Sequence, residues 1–361
     1  MKPAIAIPAT ALLVYRAWSR KSLTPLGIIF AALTAIIHAL HPSSVPFALL
    51  VVFFLGGTRV TKIKHNIKAN LTVSATGLGG GEGPRTHIQV LANSAAASLL
   101  ILLDILLIYR RKNASQLCFQ YGSSNSLLMV GIVAVYAAVA ADTYSSELGI
   151  LSKSSPRLIT SLTLRKVPRG TNGGVTLTGL AAGALGALTI AATSLLLPFC
   201  STDLSPHNNH GWDSKSKLLW IAAITACGTL GSILDSVLGG LFQATVVDKR
   251  SGRVIEGSGG QKVLIHPGEV TSSVSGEVPV RQGSRVRVAE DIANALLPRR
   301  PSIPESVSLP PQGLHESRKV ETGHDILDNN AVNLLMATTM GISAVLCASF
   351  LWEIPIQDIL T

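Results

Sequence analysis

The chain has 361 residues, of which 47% are hydrophobic and only 14% charged, and its formal net charge is +10. Soluble domains carry about 25% charged residues, so this composition excludes an ordinary soluble globule and predicts a protein embedded in a lipid bilayer. In a soluble chain the surplus of bases would point to nucleic acid; here it reads as the topology signal of membrane loops, and no nucleic-acid partner is expected.

In chain order, apolar runs fall at about 4–18, 23–40, 45–58, 88–109, 126–142, 174–199, 218–243 and 329–352, judged against the roughly 20 residues a helix needs to cross a bilayer. The predicted fold class is therefore all-α, a polytopic transmembrane helix bundle of about eight spans. Seven to nine is the fair range, because the first three runs are short or interrupted by proline. The first run is not a secretory signal: Arg16, Arg20 and Lys21 follow it and only Lys2 precedes it, the reverse of the usual order.

Of the 30 Lys and Arg residues, 24 lie in the first, third, fifth and seventh connections and 6 elsewhere. Setting aside the long last connection still leaves 13 against 6. This bias places both termini outside or in a lumen, in an endomembrane such as the endoplasmic reticulum. It turns 59–85, 142–173, the inner end of the seventh run and Asp328 toward the cytosol, where nucleoside triphosphates are found.

Residues 263–326 differ in kind, being rich in Pro, Ser, Gly, Arg and Glu. Such a stretch buries too little apolar surface to offset its ordering entropy. The expected organisation is a bundle with motif loops (1–262), a mostly disordered cytosolic insertion (263–326), and a last helix with a short tail (327–361). Within the insertion, the alternating residues Glu277 to Val288 read as a small hairpin. The scattered Cys118, Cys200, Cys227 and Cys347 imply neither a disulfide framework nor a zinc site.

Chemistry-bearing residues concentrate between 140 and 174. Asp142 ends an apolar run and Glu147 follows five residues later. The two do not stack on one helix face, although a turn after Asp142 could bring them together. Two carboxylates at a membrane edge suit Mg²⁺, which takes few protein ligands and shares its shell with substrate phosphates; the plain alternative is a wet end of a span. Lys153, Ser154, Ser155 and Arg157 supply cations and hydroxyls for phosphates, or simply the basic bias of a cytosolic loop. Thr171, Asn172, Gly173 and Gly174 precede a span, where exposed amides and the helix dipole favour an anion; a loop and cap is the bland reading.

Asp235 lies within the seventh apolar run, and a mid-membrane charge costs about 2.5–3.5 kcal/mol, so it is expected to have a partner, a metal or a proton. Asp328, Asn329 and Asn330 open the last span, where capping alone accounts for part of their presence. Asp104 reads as structural. Asp203, His207 and His210 read as a polar loop, and Gly77 to Gly83 as a linker.

These pieces together resemble the transmembrane protein 19 family, also called domain of unknown function 92. The matching segments are Gly57–Lys64, Gln89–Asn93, Ala140–Gly149, Leu151–Thr160, Val167–Gly174, Gly231–Ser236 and Leu327–Asn333, in the family's order. The resemblance implies a multi-pass membrane protein. A plant branch of that family acts as a phytyl-phosphate kinase. The family is also similar to CTP-using polyprenol kinases and phosphatidate cytidylyltransferases, through an Asp-x-x-x-Ser element (Asp142, Ser146) followed by a Pro and Gly-Gly loop (Pro168, Gly173, Gly174).

The expected function is Mg²⁺-dependent transfer from a nucleoside triphosphate, CTP favoured over ATP, to an isoprenoid or lipid phosphate. Asp142 and Asp235 would hold the metal, with Glu147 beside them. Lys153 and Arg157 would clamp phosphates. Ser146, Ser154, Ser155, Thr171 to Gly174, Asn329 and Asn330 would line the nucleotide site. The alternative is a transporter or scaffold without catalytic activity. The oligomeric state stays open.

Overall fold

The computed structural model describes residues 1–75, 83–110, 118–200, 212–263 and 318–359. The hairpin expected within 277–288, the Gly77–Glu82 stretch, and Asp203, His207 and His210 lie outside the described residues. The bundle comprises Met1–Val263 with Lys319–Thr361.

The described helices are α1 (Pro3–Ser19), α2 (Pro25–Leu40), α3 (Val45–Lys62), the short α4 (His65–Ala69), α5 (His87–Arg110), α6 (Ser124–Gly149), α7 (Leu177–Ser194), α8 (Ser214–Phe242) and α9 (Asn329–Leu351). Six of them, α3 and α5 to α9, are long and apolar enough to cross a membrane, and α2 is a shorter apolar helix. Every predicted apolar run is helical. α1, at 17 residues with Pro8 inside it, reaches about 25 Å at 1.5 Å per residue, short of the roughly 30 Å hydrocarbon core.

Side-chain caps fix where several helices begin. Thr24, Thr176, Asp213 and Asp328 each accept a hydrogen bond from the backbone N–H three residues on, satisfying an amide that would otherwise lack a partner. Asp328 thus has the capping role its sequence position allows.

α6 is the axis of the bundle and is buried along nearly its whole length, packed by α3, α5, α7, α8 and α9. α8 approaches α6 closely because its facing positions are small. A Cβ built at Gly228 would stand 2.7 Å from Ala137 O, and one at Gly231 would stand 2.5 Å from Ala138 Cβ. Bilayers offer little hydrophobic drive for helix association, so van der Waals contact through such small residues sets the packing.

A small sheet in the order β1-β5-β4-β6 is built from segments at one end of the bundle. They are β1 (Val73–Ser74), β4 (Thr245–Asp248), β5 (Val254–Glu256) and β6 (Arg318–Thr322). β1 pairs parallel to β5, with Val73 opposite Ile255, and β4 pairs antiparallel to β5. Regular structure therefore resumes at residue 318, inside the segment expected to be disordered through 326. A second pair, β2 (Arg157–Leu158) with β3 (Gly174–Val175), is antiparallel.

The opposite end overturns the reading of the cysteines. Cys118 and Cys200 form a disulfide. Their loops meet because Phe119 N–H donates to Pro198 O at 2.8 Å and Cys200 N–H to Phe119 O at 3.1 Å. Phe119 sits among Phe199, Trp212, Trp220 and Trp352. A separation of 82 residues carries no local spacing signal, so only the packing of helix ends brings the pair together. Asp104, read as structural, is buried on α5 with its Oδ2 at 3.0 Å from His41 Nε2.

Candidate functional site

α6 does not stop at Asp142 but runs on to Gly149. Asp142 and Glu147 therefore sit on one continuous helix, about 140° apart at 100° per residue, and no turn brings them together. Glu147 turns to α3 and α4, where it pairs with the Lys68 ammonium. Lys68 also donates to Thr61 O at 2.7 Å and Val60 O at 3.0 Å, so its charge is fully engaged.

Asp142 faces α8 instead, and its carboxyl group is in hydrogen-bond contact with that of Asp235. Both are half-buried. Each stands seven residues before the C-terminal end of its helix, which is about 10 Å at 1.5 Å per residue. Asp235 is thus near one end of a 29-residue helix and not at its middle. Asn333, four residues into α9, completes the cluster: with its carboxamide oriented to satisfy both neighbours, the nitrogen donates to Asp235 Oδ1 and to Asn329 O, each at 3.1 Å.

Two carboxyl groups in contact cannot both stay ionised unless a cation lies between them; otherwise they share a proton. Among the described residues no cluster of three His, Cys, Asp or Glu side chains is found. A pair of carboxylates is nevertheless a donor set that Mg²⁺ takes when water and phosphate complete its shell. Asn330 adds an observation of its own: its Nδ2 donates to Gly259 O at 3.0 Å, while its Oδ1 is buried with no partner. The residues present fit a hard cation.

Lys153, Ser154, Ser155 and Arg157 are exposed at the same end of the bundle. Ser154 Oγ lies 2.9 Å from Ser152 Oγ, and an Arg157 Nη1 donates to Leu164 O at 3.2 Å. Ser146 lies one helical turn beyond Asp142, its Oγ donating to Thr143 O at 3.3 Å.

The Thr171–Gly174 loop is closed on itself. Thr171 N–H donates to Pro168 O and Gly174 N–H to Thr171 O, while Asn172 N–H donates to Thr245 Oγ1 at 3.0 Å. Three of the four amides expected to face an anion are thus engaged within the chain. What the loop does structurally is brace α8. Gly173 has φ +77, and a Cβ there would stand 2.7 Å from Gly240 Cα and 2.8 Å from Ser236 O, one residue past Asp235.

Gly173→Ala combines left-handed strain of about 1–2 kcal/mol with a backbone clash. The expected loss of stability is about 2–4 kcal/mol, read as a lowered unfolding temperature of the detergent-solubilised protein.

The structure brings Asp142 and Asp235 together and sets Asn333 beside Asp235 and Lys68 beside Glu147, two neighbours that the sequence did not single out. Asn333 had a signal: it is four residues from Asn329, hence on the same helix face. Lys68 had none.

The architecture defines a polytopic α-helical integral membrane protein, with an acid pair near one end of its bundle. The chain belongs to the integral membrane protein family DUF92, whose model matches residues 8–341. It is similar to Protein PGR of Arabidopsis thaliana, 35% identical over 244 residues, covering 66% of this chain and 78% of that protein. It is 36% identical over 115 residues to an uncharacterized membrane protein of Methanocaldococcus jannaschii, covering 32% and 40% of the two chains. It is 31% identical over 156 residues to Protein VTE6, chloroplastic, of Arabidopsis thaliana, covering 43% and 41%. No solved structure matches.

Proposed function

We propose that this protein transfers a phosphoryl or nucleotidyl group from a nucleoside triphosphate, CTP favoured over ATP, to an isoprenoid or lipid phosphate at the cytosolic leaflet. The observation that carries this reading is the meeting of Asp142 and Asp235 at equal depth near one end of the bundle. Asp142 and Asp235 would hold Mg²⁺, with Asn333 fixing the rotamer of Asp235. When bound, the ion neutralises phosphate charge and orients the reacting groups. Lys153 and Arg157 supply mobile cations for the triphosphate, since such chemistry is mostly positioning and charge neutralisation. The plant phytyl-phosphate kinase branch of the family supports the acceptor class.

A transporter site would lie near the midplane and be reachable from both sides. The place of the acid pair near one end of both helices favours the enzyme. The direct test is purified protein with Mg²⁺, labelled CTP or ATP, and a panel of isoprenyl monophosphates. Transfer to at least one acceptor is expected, and Lys153→Ala should weaken nucleotide binding with little change in stability, as exposed Lys contributes little to folding. Absence of transfer to every acceptor by a folded sample overturns the reading.

The reading also needs the motif end in the cytosol, in an endomembrane such as the endoplasmic reticulum. The base distribution supports that orientation. So does the Cys118–Cys200 disulfide at the opposite end, because disulfides persist in oxidising compartments. In a Cys227→Ser, Cys347→Ser background, Ser154→Cys should resist an impermeant thiol reagent on intact vesicles of cytosol-inside orientation, and Lys215→Cys should react. The reverse pattern would separate the site from cytosolic nucleotide.

A further inference from the structure

Apart from the acid pair, the bundle holds a cavity of 310 Å³ between α1, α2, α3 and the start of α5. Its walls are apolar, with Leu13, Val14, Ile28 and Phe53 among them, and Ala31 and Ala35 leave the space open. Its rim carries Arg20, Lys21, Lys62, His65 and Arg85, and no Asp or Glu lines it among the described residues. Nor does any described carboxylate pair with one of these five bases. Clustered bases with no counter-charge among the described residues, at the mouth of an apolar pocket, call for an anionic ligand with a hydrocarbon body.

Arg85 is the fixed member of the rim. Its backbone is pinned to the start of α2: Arg85 N–H donates to Ser22 O, and Thr24 N–H donates to Arg85 O, each at 3.0 Å. Its Nη2 donates to Thr61 Oγ1 at 3.1 Å. A Cβ built at Gly57 would stand 3.4 Å from Arg85 Nη1 and 3.6 Å from Thr143 Cγ2. The guanidinium and Thr143, the residue that follows Asp142 on α6, thus both lie against Gly57 of α3. A planar, held guanidinium can grip a phosphate through two hydrogen bonds.

We propose that this cavity binds a single-chain lipid bearing a phosphate monoester, its tail between α1, α2 and α3 and its phosphate on Arg85 and Lys62. The volume lies at the lower end of the roughly 300–1,000 Å³ of small-molecule sites, which suits one chain and not two. Binding stands on the cavity alone. Identifying the cavity as the acceptor subsite rests on the transfer reading above; Arg85 on its rim and Thr143, next to Asp142 on α6, both lie against Gly57 of α3.

The test is equilibrium binding of radiolabelled dodecyl phosphate to the full chain in nanodiscs of neutral lipid, with dodecanol and inorganic phosphate as competitors. Saturable binding is expected, with neither competitor displacing the probe at about a hundredfold excess, because each offers only half of the recognition. Arg85→Gln, which removes the headgroup contact, and Ala31→Leu, which fills the tail cavity, should each weaken binding about tenfold or more.

Both variants are checked for folding by monodispersity and by retention of any Mg²⁺-dependent stabilisation. Non-saturable uptake by the wild type, displacement by inorganic phosphate alone, or unchanged affinity in both folded variants would overturn the proposal. Tight, Arg85-dependent binding without modification by Mg²⁺-CTP would leave the lipid site standing and remove the transfer reading.

Discussion

Asp235→Asn should abolish transfer while leaving the protein at least as stable as the parent in Mg²⁺-free buffer. The substitution keeps the shape and leaves an amide donor beside one carboxylate where two carboxyl groups must otherwise share a proton, so the empty site loses no stability. The charge that it removes is what a cation needs. Loss of a preorganised electrostatic contact of this kind costs about 10²–10³ in turnover. The binding counterpart is independent of any assay of the reaction. A ligand at a hundredfold excess over its Kd stabilises the folded state by about 2.7 kcal/mol, so saturating Mg²⁺ should raise the unfolding temperature of the parent and leave Asp235→Asn unmoved. Asp142→Asn should behave alike. Parent and variants responding identically to Mg²⁺, with function intact, would make the pair structural.

Glu147→Gln is expected to do the opposite: to destabilise the protein strongly while changing turnover per folded molecule little. Glu147 and Lys68 are 13% and 8% exposed at the side chain, and removing one partner of a buried ion pair costs about 3–5 kcal/mol because the other charge is left uncompensated. Lys68→Met should cost a similar amount, and the double variant less than the sum of the two. The measurement is a double-mutant cycle on unfolding in mild detergent, with activity normalised to folded protein. If Glu147→Gln instead abolished transfer at unchanged stability, Glu147 would belong to the chemistry, as its place in the sequence motif implies, and the ion pair would be incidental.

The contrast between Asp142 and Glu147 shows where sequence reading stops. Both lie in one motif, both follow the same apolar run, and spacing alone leaves them equal. The continuation of α6 through to Gly149 separates them by angle, so that one faces α8 and the other α3 and α4. The same holds for the loop at Thr171–Gly174, whose glycines read as an anion cradle. In the fold, Gly173 is needed because α8 comes too close for a Cβ, and the amides are spent on closing the turn and holding Thr245.

The chain by itself determined the membrane class, the helical architecture, the places of the apolar runs and the concentration of polar motifs at one end. Hydropathy and the period of a helix are local properties, and a bilayer forces each apolar segment to satisfy its own backbone hydrogen bonds. The tertiary structure alone decided which acids meet, that Cys118 and Cys200 join, that Lys68 neutralises Glu147, and that a basic-rimmed cavity opens between α1, α2 and α3. Those are contacts between segments far apart in the chain, fixed by how small residues let helices approach and by which face each helix turns inward. No spacing along the sequence encodes that geometry.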